Sequence, residues 1–367
     1  MARLMRVLVV NAGSSSLRLR LLTTDDEIAA DHHVEDWDGD DSAVAAWVED
    51  LDGIDAVGHR VVHGGSTLRT ATRVDDATEK RIESLTSLAP LHQPRALAGI
   101  RMARELLPHV PSVACFDTVY HSTLPDAAAT YAVPARWRSR WELRRYGFHG
   151  LSHAYAARRT AELLAPRPAA RVVTCHLGAG ASLAASSEGR SVDTTMGYTP
   201  LEGLVMATRS GSVDPGLLLW LASEGGLSVD ELSDGLEHQA GLAGLSGVSS
   251  GDMREVMAAR DRGEADAGLA FDVYVHRLVG ELARMAGSLG GLDAVAFTGG
   301  VGEHAPEVRA AVVERLGFLG VAIDSDANAE ADGDLDLSAA DASVATLVVT
   351  AREDLEIARQ VRAALDA

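Results

Sequence analysis

A strand that ends in one polar residue and a bend of very small residues occurs twice in this chain, and no other feature limits the possible folds as much. The first copy is Val7-Leu8-Val9-Val10-Asn11-Ala12-Gly13-Ser14-Ser15-Ser16-Leu17-Arg18, the second Val172-Val173-Thr174-Cys175-His176-Leu177-Gly178-Ala179-Gly180-Ala181-Ser182-Leu183. Apolar residues run straight into the first bend, and Leu17, Leu19 and Leu21 alternate after it, which predicts a hairpin. Glycine and serine there leave backbone N–H groups and hydroxyls open, as polyphosphate oxygens require; a plain turn is the alternative for either copy taken alone. With Asn11 laid on His176, Gly13 falls on Gly178. The repeat predicts a duplicated domain, with a phosphate turn in each half and a ligand in the cleft between. Asn11 is a candidate for holding a hydrated metal ion, and Arg18 for reaching a terminal phosphate.

Two domains also follow from length, since 367 residues exceed one ordinary core. With aromatics at 4%, the cores must be filled by Ala, Leu and Val. Apolar runs are short and broken by glycine or charge, which predicts no membrane span, and Met1 to Arg6 lead into the first strand without a signal-peptide pattern, which predicts a cytoplasmic location. A net charge of -20 argues against nucleic acid or an anionic membrane as partner. An anionic substrate would then be held by a few well-placed arginines, because Lys80 is the only lysine. Cys115 and Cys175 are too few for a disulfide framework and read as buried free thiols.

Further strand ends carry chemistry. Asp55 to Val62 reads as a strand holding Arg60, a charge that is costly in a buried run unless it serves a cleft; a surface-pointing edge arginine is the alternative. Pro90 and Pro94 make Ala89 to Pro94 a rigid loop. Pro111 to Thr118 reads as a buried strand with Asp117 at its carboxyl end, which faces the ligand crevice in open α/β sheets; a turn cap is the alternative. His149 and His153 have helical zinc spacing but lack the accompanying Glu, so His149 is placed in a loop and Ser152 at the start of a helix. Arg209 lies between an apolar run and a Ser/Gly turn, and Asp252 is a candidate helix cap. The buried strand from Leu292 to Thr298 opens into Gly299-Gly300-Val301-Gly302-Glu303-His304, and Glu353 opens a C-terminal helix. Two acidic segments are spaced like calcium loops, Asp25 to Asp41 and Asp324 to Asp334, but Trp47 and Leu335 stand where the closing Glu is needed, so both read as solvated loops.

Taken together, Asn11 to Leu17, Gly58 to Gly65, Ala89 to His92, Phe116 to Thr118, Arg145 to Gly150, His176 to Ser182, Thr199 to Gly211, Asp252 to Arg254 and Phe297 to Glu303 closely resemble the acetate kinase family, from Val7 to about Arg359. The resemblance implies an α/β fold of two duplicated domains of the actin-like ATPase, ribonuclease H-like type, with mixed sheets flanked by helices and the active site in the interdomain cleft. The domains expected are 1–121 with 355–367, and 122–354. It also implies a homodimer that interconverts acetate and ATP with acetyl phosphate and ADP, assisted by magnesium, with manganese as a substitute.

By the same resemblance Arg60 and Arg209 flank the transferred phosphoryl group, His149 donates a hydrogen bond to it, and Asp117 places the metal and the reacting groups. Asn11 and Glu353 join the metal site. Val62, Leu91, Phe148 and Pro200 form the pocket for the acetate methyl. His176, Leu177, Gly178, Ala179 and Gly180, then Asp252, Met253 and Arg254, then Gly300, Val301, Gly302, Glu303 and His304, with Arg18, bind the nucleotide. The family pattern has Asn at Ala179 and His304, Lys at Arg18, Asn at Gln93 and Asp at Ser212; the first two changes remove amide hydrogen bonds to the donor. Propionate or butyrate as acceptor, pyrophosphate as donor, and a non-catalytic actin-like ATPase switch are the competing readings.

Overall fold

In the computed structural model the described residues are 5–13, 16–37, 42–90, 92–167 and 169–366. Ser14, Ser15 and Leu91 lie outside them, as do residues 38–41 at the end of the first acidic segment; that segment is not all loop, because Ile28–Val34 forms a strand paired with Leu17–Leu22. By its internal contacts the chain divides into two units, one of Met1–Ser122, Phe148–Tyr155 and Arg352–Ala367, the other of Thr123–Gly147 and Ala156–Ala351. Phe148–Tyr155 and the residues from Arg352 to Asp354 therefore pack with the first unit, whereas the sequence reading assigned them to the second.

The first unit is built on β1 (Val7–Ala12), β2 (Leu17–Leu22), β3 (Ile28–Val34), β4 (Ala56–Val61), β5 (Thr72–Arg73) and β6 (Ser112–Phe116), in the order β3-β2-β1-β4-β6-β5. Here β1 and β2 form the expected antiparallel hairpin, while β4 runs parallel to both β1 and β6. Strand alternation sends Val7 and Val9 into one apolar layer and Leu8 and Val10 into the other. Helices cover both faces, so β1 reads as a near-continuous apolar run. The C-terminal helix, Glu353–Asp366, packs against β4 where Gly58 leaves room: a Cβ there would lie 2.6 Å from Ile357 Cγ2 and 2.7 Å from Val361 Cγ2.

The second unit repeats this plan with β7 (Arg171–Leu177), β8 (Ala181–Ser187), β9 (Arg190–Thr194), β10 (Ala294–Thr298), β11 (Leu335–Asp336) and β12 (Ala345–Val348), ordered β9-β8-β7-β10-β12-β11. Every pairing keeps its sense: β7 with β8 antiparallel, β7 with β10 and β10 with β12 parallel, β11 with β12 antiparallel. The last pair of the first hairpin is Ala12 with Leu17, and that of the second is Leu177 with Ala181. Laying Asn11 on His176 thus superposes the hairpins in register, and the expected mixed-sheet duplication is what the chain forms.

Local departures have simple causes. Pro94 is not in a loop but in the first turn of the helix Gln93–Leu106, where an N–H has no partner to lose. The second acidic stretch is partly helical, because Asp324 caps Ser325–Ala329 by accepting from the N–H groups of Asp326 and Ala327. The helix expected from Ser152 starts at Gly150. Both cysteines are buried and free, and burial pushes their thiols far above the ordinary range.

Candidate active site

In the first unit the parallel register brings three strand ends together. Val10 lies beside His59 and Val61 beside Phe116, so Asn11, Arg60 and Asp117 emerge at adjacent carboxyl ends. β4 lies between β1 and β6, which removes the edge-strand reading of Arg60. Its guanidinium meets Asp117 Oδ2 through Nη2 at 2.8 Å and Nε at 3.2 Å, and Nη1 donates to Asn11 Oδ1 at 3.4 Å. Asp117 therefore pairs with a cation. Glu353 Oε2 lies 3.8 Å from Arg60 Nε, held there because its helix is seated on Gly58. Burial alone would lower the pKa of Arg60; the charges of Asp117 and Glu353 instead raise it, so it stays protonated.

Two carboxylates against one guanidinium leave this cluster one negative charge in excess, beside the carbonyl oxygen of an amide. Among the described residues no three His, Cys, Asp or Glu side chains gather as a metal cage. Magnesium needs no such cage: it takes one or two carboxylates and completes its shell with waters and phosphate oxygens. The hard oxygen donors of Asn11, Asp117 and Glu353 fit that requirement.

His149 is tied to the same cluster through the backbone. Gly150 N donates to Asp117 O at 2.8 Å, and a Cβ on Gly150 would lie 2.1 Å from that oxygen. His149 itself has φ +54°, left-handed and unusual for a residue with a side chain, which is a local strain that the surrounding contacts must hold. One such contact is His121, fully buried, whose Nε2 lies 3.0 Å from Phe148 O; because a carbonyl only accepts, Nε2 carries the proton. Phe148 is buried edge-on to His63 at 5.5 Å, and Val62 is also buried. Burial pushes His63 down to about 4 and His59, neighbour to Arg60, down to about 3.

In the second unit Arg209 donates through Nη1 to Pro200 O at 2.7 Å. Among the described residues no carboxylate pairs with it, and burial lowers its pKa against the weak opposing charge of Glu237. A desolvated cation of this kind favours an anion. The loop that carries Pro200 and Arg209 is braced by a triad absent from the sequence reading: Glu202 accepts from Tyr131 Oη at 2.6 Å and from Arg145 Nη2 at 2.6 Å, and Tyr198 N donates to Tyr131 Oη at 2.8 Å. Tyr131 and Glu202 are 71 positions apart, so no local pattern announces the pair.

Eight of the expected nucleotide residues, Gly178, Ala179, Asp252, Met253, Arg254, Gly300, Val301 and His304, line one cavity of about 960 Å³ together with Met257 and Tyr274. Asp252 caps the helix Met253–Asp261 as expected, and its carboxylate also holds Arg254 Nη2 at 2.6 Å; that hydrogen bond keeps the carboxyl below its usual range. His176, Leu177, Gly180, Gly302 and Glu303 are not in the lining. Glu303 Oε1 instead accepts from Gly299 N at 2.8 Å and Ala351 N at 3.0 Å. Arg18 meets Asp31, on the neighbouring β3, through Nε at 3.1 Å and Nη2 at 2.7 Å, so its guanidinium is engaged within the first unit.

A family model, the acetokinase family, matches residues 40–359. An acetate kinase of Synechococcus sp. (strain JA-2-3B'a(2-13)) is 52% identical over 323 residues, which cover 88% of this chain and 78% of that protein. Among solved structures, an acetate kinase of Porphyromonas gingivalis is similar with a TM-score of 0.91 at 34% identity, over 98% of this chain and 100% of that one. A propionate kinase of Francisella tularensis subsp. tularensis SCHU S4 is similar with a TM-score of 0.89 at 32% identity, over 98% and 99% of the two chains.

Proposed function

This chain belongs to the acetokinase family, and from that premise we propose that it interconverts acetate and ATP with acetyl phosphate and ADP by direct phosphoryl transfer. The observation that carries the reading is the cluster of Arg60, Asp117, Asn11 and Glu353, joined to His149 through the Gly150 to Asp117 hydrogen bond. A carboxylate oxygen of acetate attacks the γ-phosphorus, the bond to the β,γ-bridging oxygen breaks, and ADP leaves with that electron pair. Acetate is already ionised at neutral pH, so the acceptor requires no general base.

What the protein must supply is position and charge. Arg209, a cation with no carboxylate partner among the described residues, offers its remaining N–H groups to the equatorial oxygens of the transferred group. Arg60 does the same while held in place by Asp117, and His149 donates a hydrogen bond. Asn11, Asp117 and Glu353 would hold magnesium, or manganese in its place, which would neutralise charge on the donor phosphates. Val62, Phe148 and Pro200 are assigned to the acetate methyl, as is Leu91, which lies outside the described residues. A pocket of this kind separates acetate from propionate by about 1–3 kcal/mol only, and the likeness to a propionate kinase supports activity on both.

The cavity of about 960 Å³ in the second unit favours a nucleotide over pyrophosphate as donor, since it is of the size that takes a whole cofactor. Exposed Leu217, Leu219, Trp220 and Val229 support a homodimer formed through that face. Among the described residues no helix is long and apolar enough to cross a membrane; we assign the enzyme to the cytoplasm, where ATP is at hand. The test is a hydroxamate assay for acyl phosphate with acetate, propionate and butyrate against ATP, GTP and pyrophosphate. Acetyl hydroxamate formed with ATP and magnesium is the expected result, and ATP hydrolysis without acyl phosphate would favour a conformational switch and refute the proposal.

A further inference from the structure

The turn Gly299–His304 presents Gly300, Val301 and His304 to the cavity, while its opposite side is gripped at both ends by side chains that do not line the cavity. At the leading end the carboxylate of Glu303 folds back onto its own turn: Oε1 accepts from Gly299 N at 2.8 Å and, with the same oxygen, from Ala351 N at 3.0 Å, just beyond β12. At the trailing end Arg309 donates through Nη1 to Gly302 O at 2.9 Å and Glu303 O at 2.8 Å. Its other nitrogens reach Asn328, Nε to Oδ1 at 2.7 Å and Nη2 to the backbone oxygen at 2.7 Å, and Asn328 Nδ2 donates on to Pro306 O at 2.9 Å.

Arg309 is 1% exposed, and among the described residues no carboxylate forms an ion pair with it. A buried guanidinium whose acceptors are all neutral oxygens is an expensive way to end a helical turn, since water or a glycine cap does so on the surface. It becomes economical where the turn must hold a fixed shape, because a fully satisfied buried polar network rigidifies the backbone it holds. A turn left to itself would sample many conformations, and a ligand would have to select one of them at a loss of affinity.

We propose that Glu303 and Arg309 are positioning residues of the donor site, which lock the Gly299–His304 turn in its nucleotide-receiving shape before the nucleotide arrives. This rests on the reading of Gly300 to His304 as a nucleotide segment. Neither side chain touches the donor; both act through the backbone they hold. A role in stability alone would lower the melting temperature and leave the two substrates affected alike.

The experiment compares the full chain with Glu303→Ala, Glu303→Gln and Arg309→Lys, measuring kcat, the KM of ATP and of acetate, the Kd of ADP by calorimetry, and melting. Loss of charge-assisted hydrogen bonds to the turn is expected to raise the ATP KM and the ADP Kd about tenfold in Glu303→Ala, with the acetate KM within about twofold. Glu303→Gln keeps an acceptor oxygen and should recover most of the affinity. Arg309→Lys cannot serve four acceptors from one nitrogen and should match Glu303→Ala; it decides the matter if that variant does not fold. Equal changes in both KM values, or an unchanged ADP Kd in a folded Glu303→Ala, would overturn the proposal. Hydrogen exchange separates the two levels of the argument: ADP should slow the amides of residues 299–305 in the parent chain. If it does not, the nucleotide reading fails and the proposal with it; if it does and the variants bind ADP normally, only the positioning claim falls.

Discussion

Replacing Gly150 by alanine tests whether Asp117 and His149 must be held in one frame. The new methyl would lie 2.1 Å from Asp117 O and 2.9 Å from Tyr120 Cβ. The first obstacle is backbone, which cannot rotate aside as a side-chain end does. Relief requires the helix start Gly150 and the strand end Asp117 to separate by about 1 Å, and a misplacement of that size costs about 10²-fold in rate. The same movement breaks the 2.8 Å hydrogen bond from Gly150 N to Asp117 O, a buried bond whose loss costs about 1–3 kcal/mol. His149, already at φ +54°, loses one of the contacts that hold it there. Steady-state acyl phosphate formation and calorimetric melting on the same preparation are the assays. The variant should melt a few degrees lower and turn over about 10²-fold more slowly, with the ADP Kd unchanged because the donor cavity is built from other residues. A folded Gly150→Ala enzyme with kcat within about threefold of the parent would refute the claim that this backbone contact aligns the reacting groups.

Arg209→Ala should lower kcat by about 10³–10⁵, the range for arginines on a transferred phosphoryl group, while melting barely changes, because among the described residues no ion pair is lost with Arg209. Arg60→Ala should differ in kind: it strands Asp117 and Glu353, so both turnover and melting should fall, the latter by about 3–5 kcal/mol. Acid stability follows from His59, whose pKa is pushed from 6.5 to about 3 by burial. The unfolded chain takes up a proton below pH 6.5 that the folded one refuses, so stability should fall as pH drops from 6.5 toward 3, by about 1.4 kcal/mol per pH unit for this residue. His59→Leu should flatten that slope by one proton, read from melting between pH 4.5 and about 6.5. Val62→Ala should raise the ratio of kcat/KM for propionate over acetate, by the about 1–3 kcal/mol that one methylene is worth.

What was legible in the sequence was local. The two hairpins announce themselves through runs of apolar residues, and their superposition on Asn11 and His176 agrees with the strand register of both sheets. Arg60 and Asp117 stood out because a charge inside or at the end of an apolar strand needs a reason, and here each is the other's reason. What the sequence left out shares one cause, a partner distant in the chain. Arg18 looked free until β3 folded back and set Asp31 beside it. Glu303 was assigned to the nucleotide together with its turn, yet Ala351, 48 positions on, helps to claim its carboxylate. Residues 148–155 joined the first unit because Gly150 bonds to Asp117, a contact that no periodicity encodes. Arg309 and the triad of Tyr131, Arg145 and Glu202 were overlooked for the same reason: they act by holding backbone contributed by other segments.

The central claim is that the γ-phosphoryl group passes directly to a small carboxylate. A rapid-quench single turnover with γ-radiolabelled ATP, magnesium and acetate reads this directly. The account predicts label in acetyl phosphate at the first time points, matching ADP mole for mole, with none in orthophosphate and almost none transferred by Arg209→Ala. Label that appears as orthophosphate alone, at the same rate with or without acetate, would contradict it.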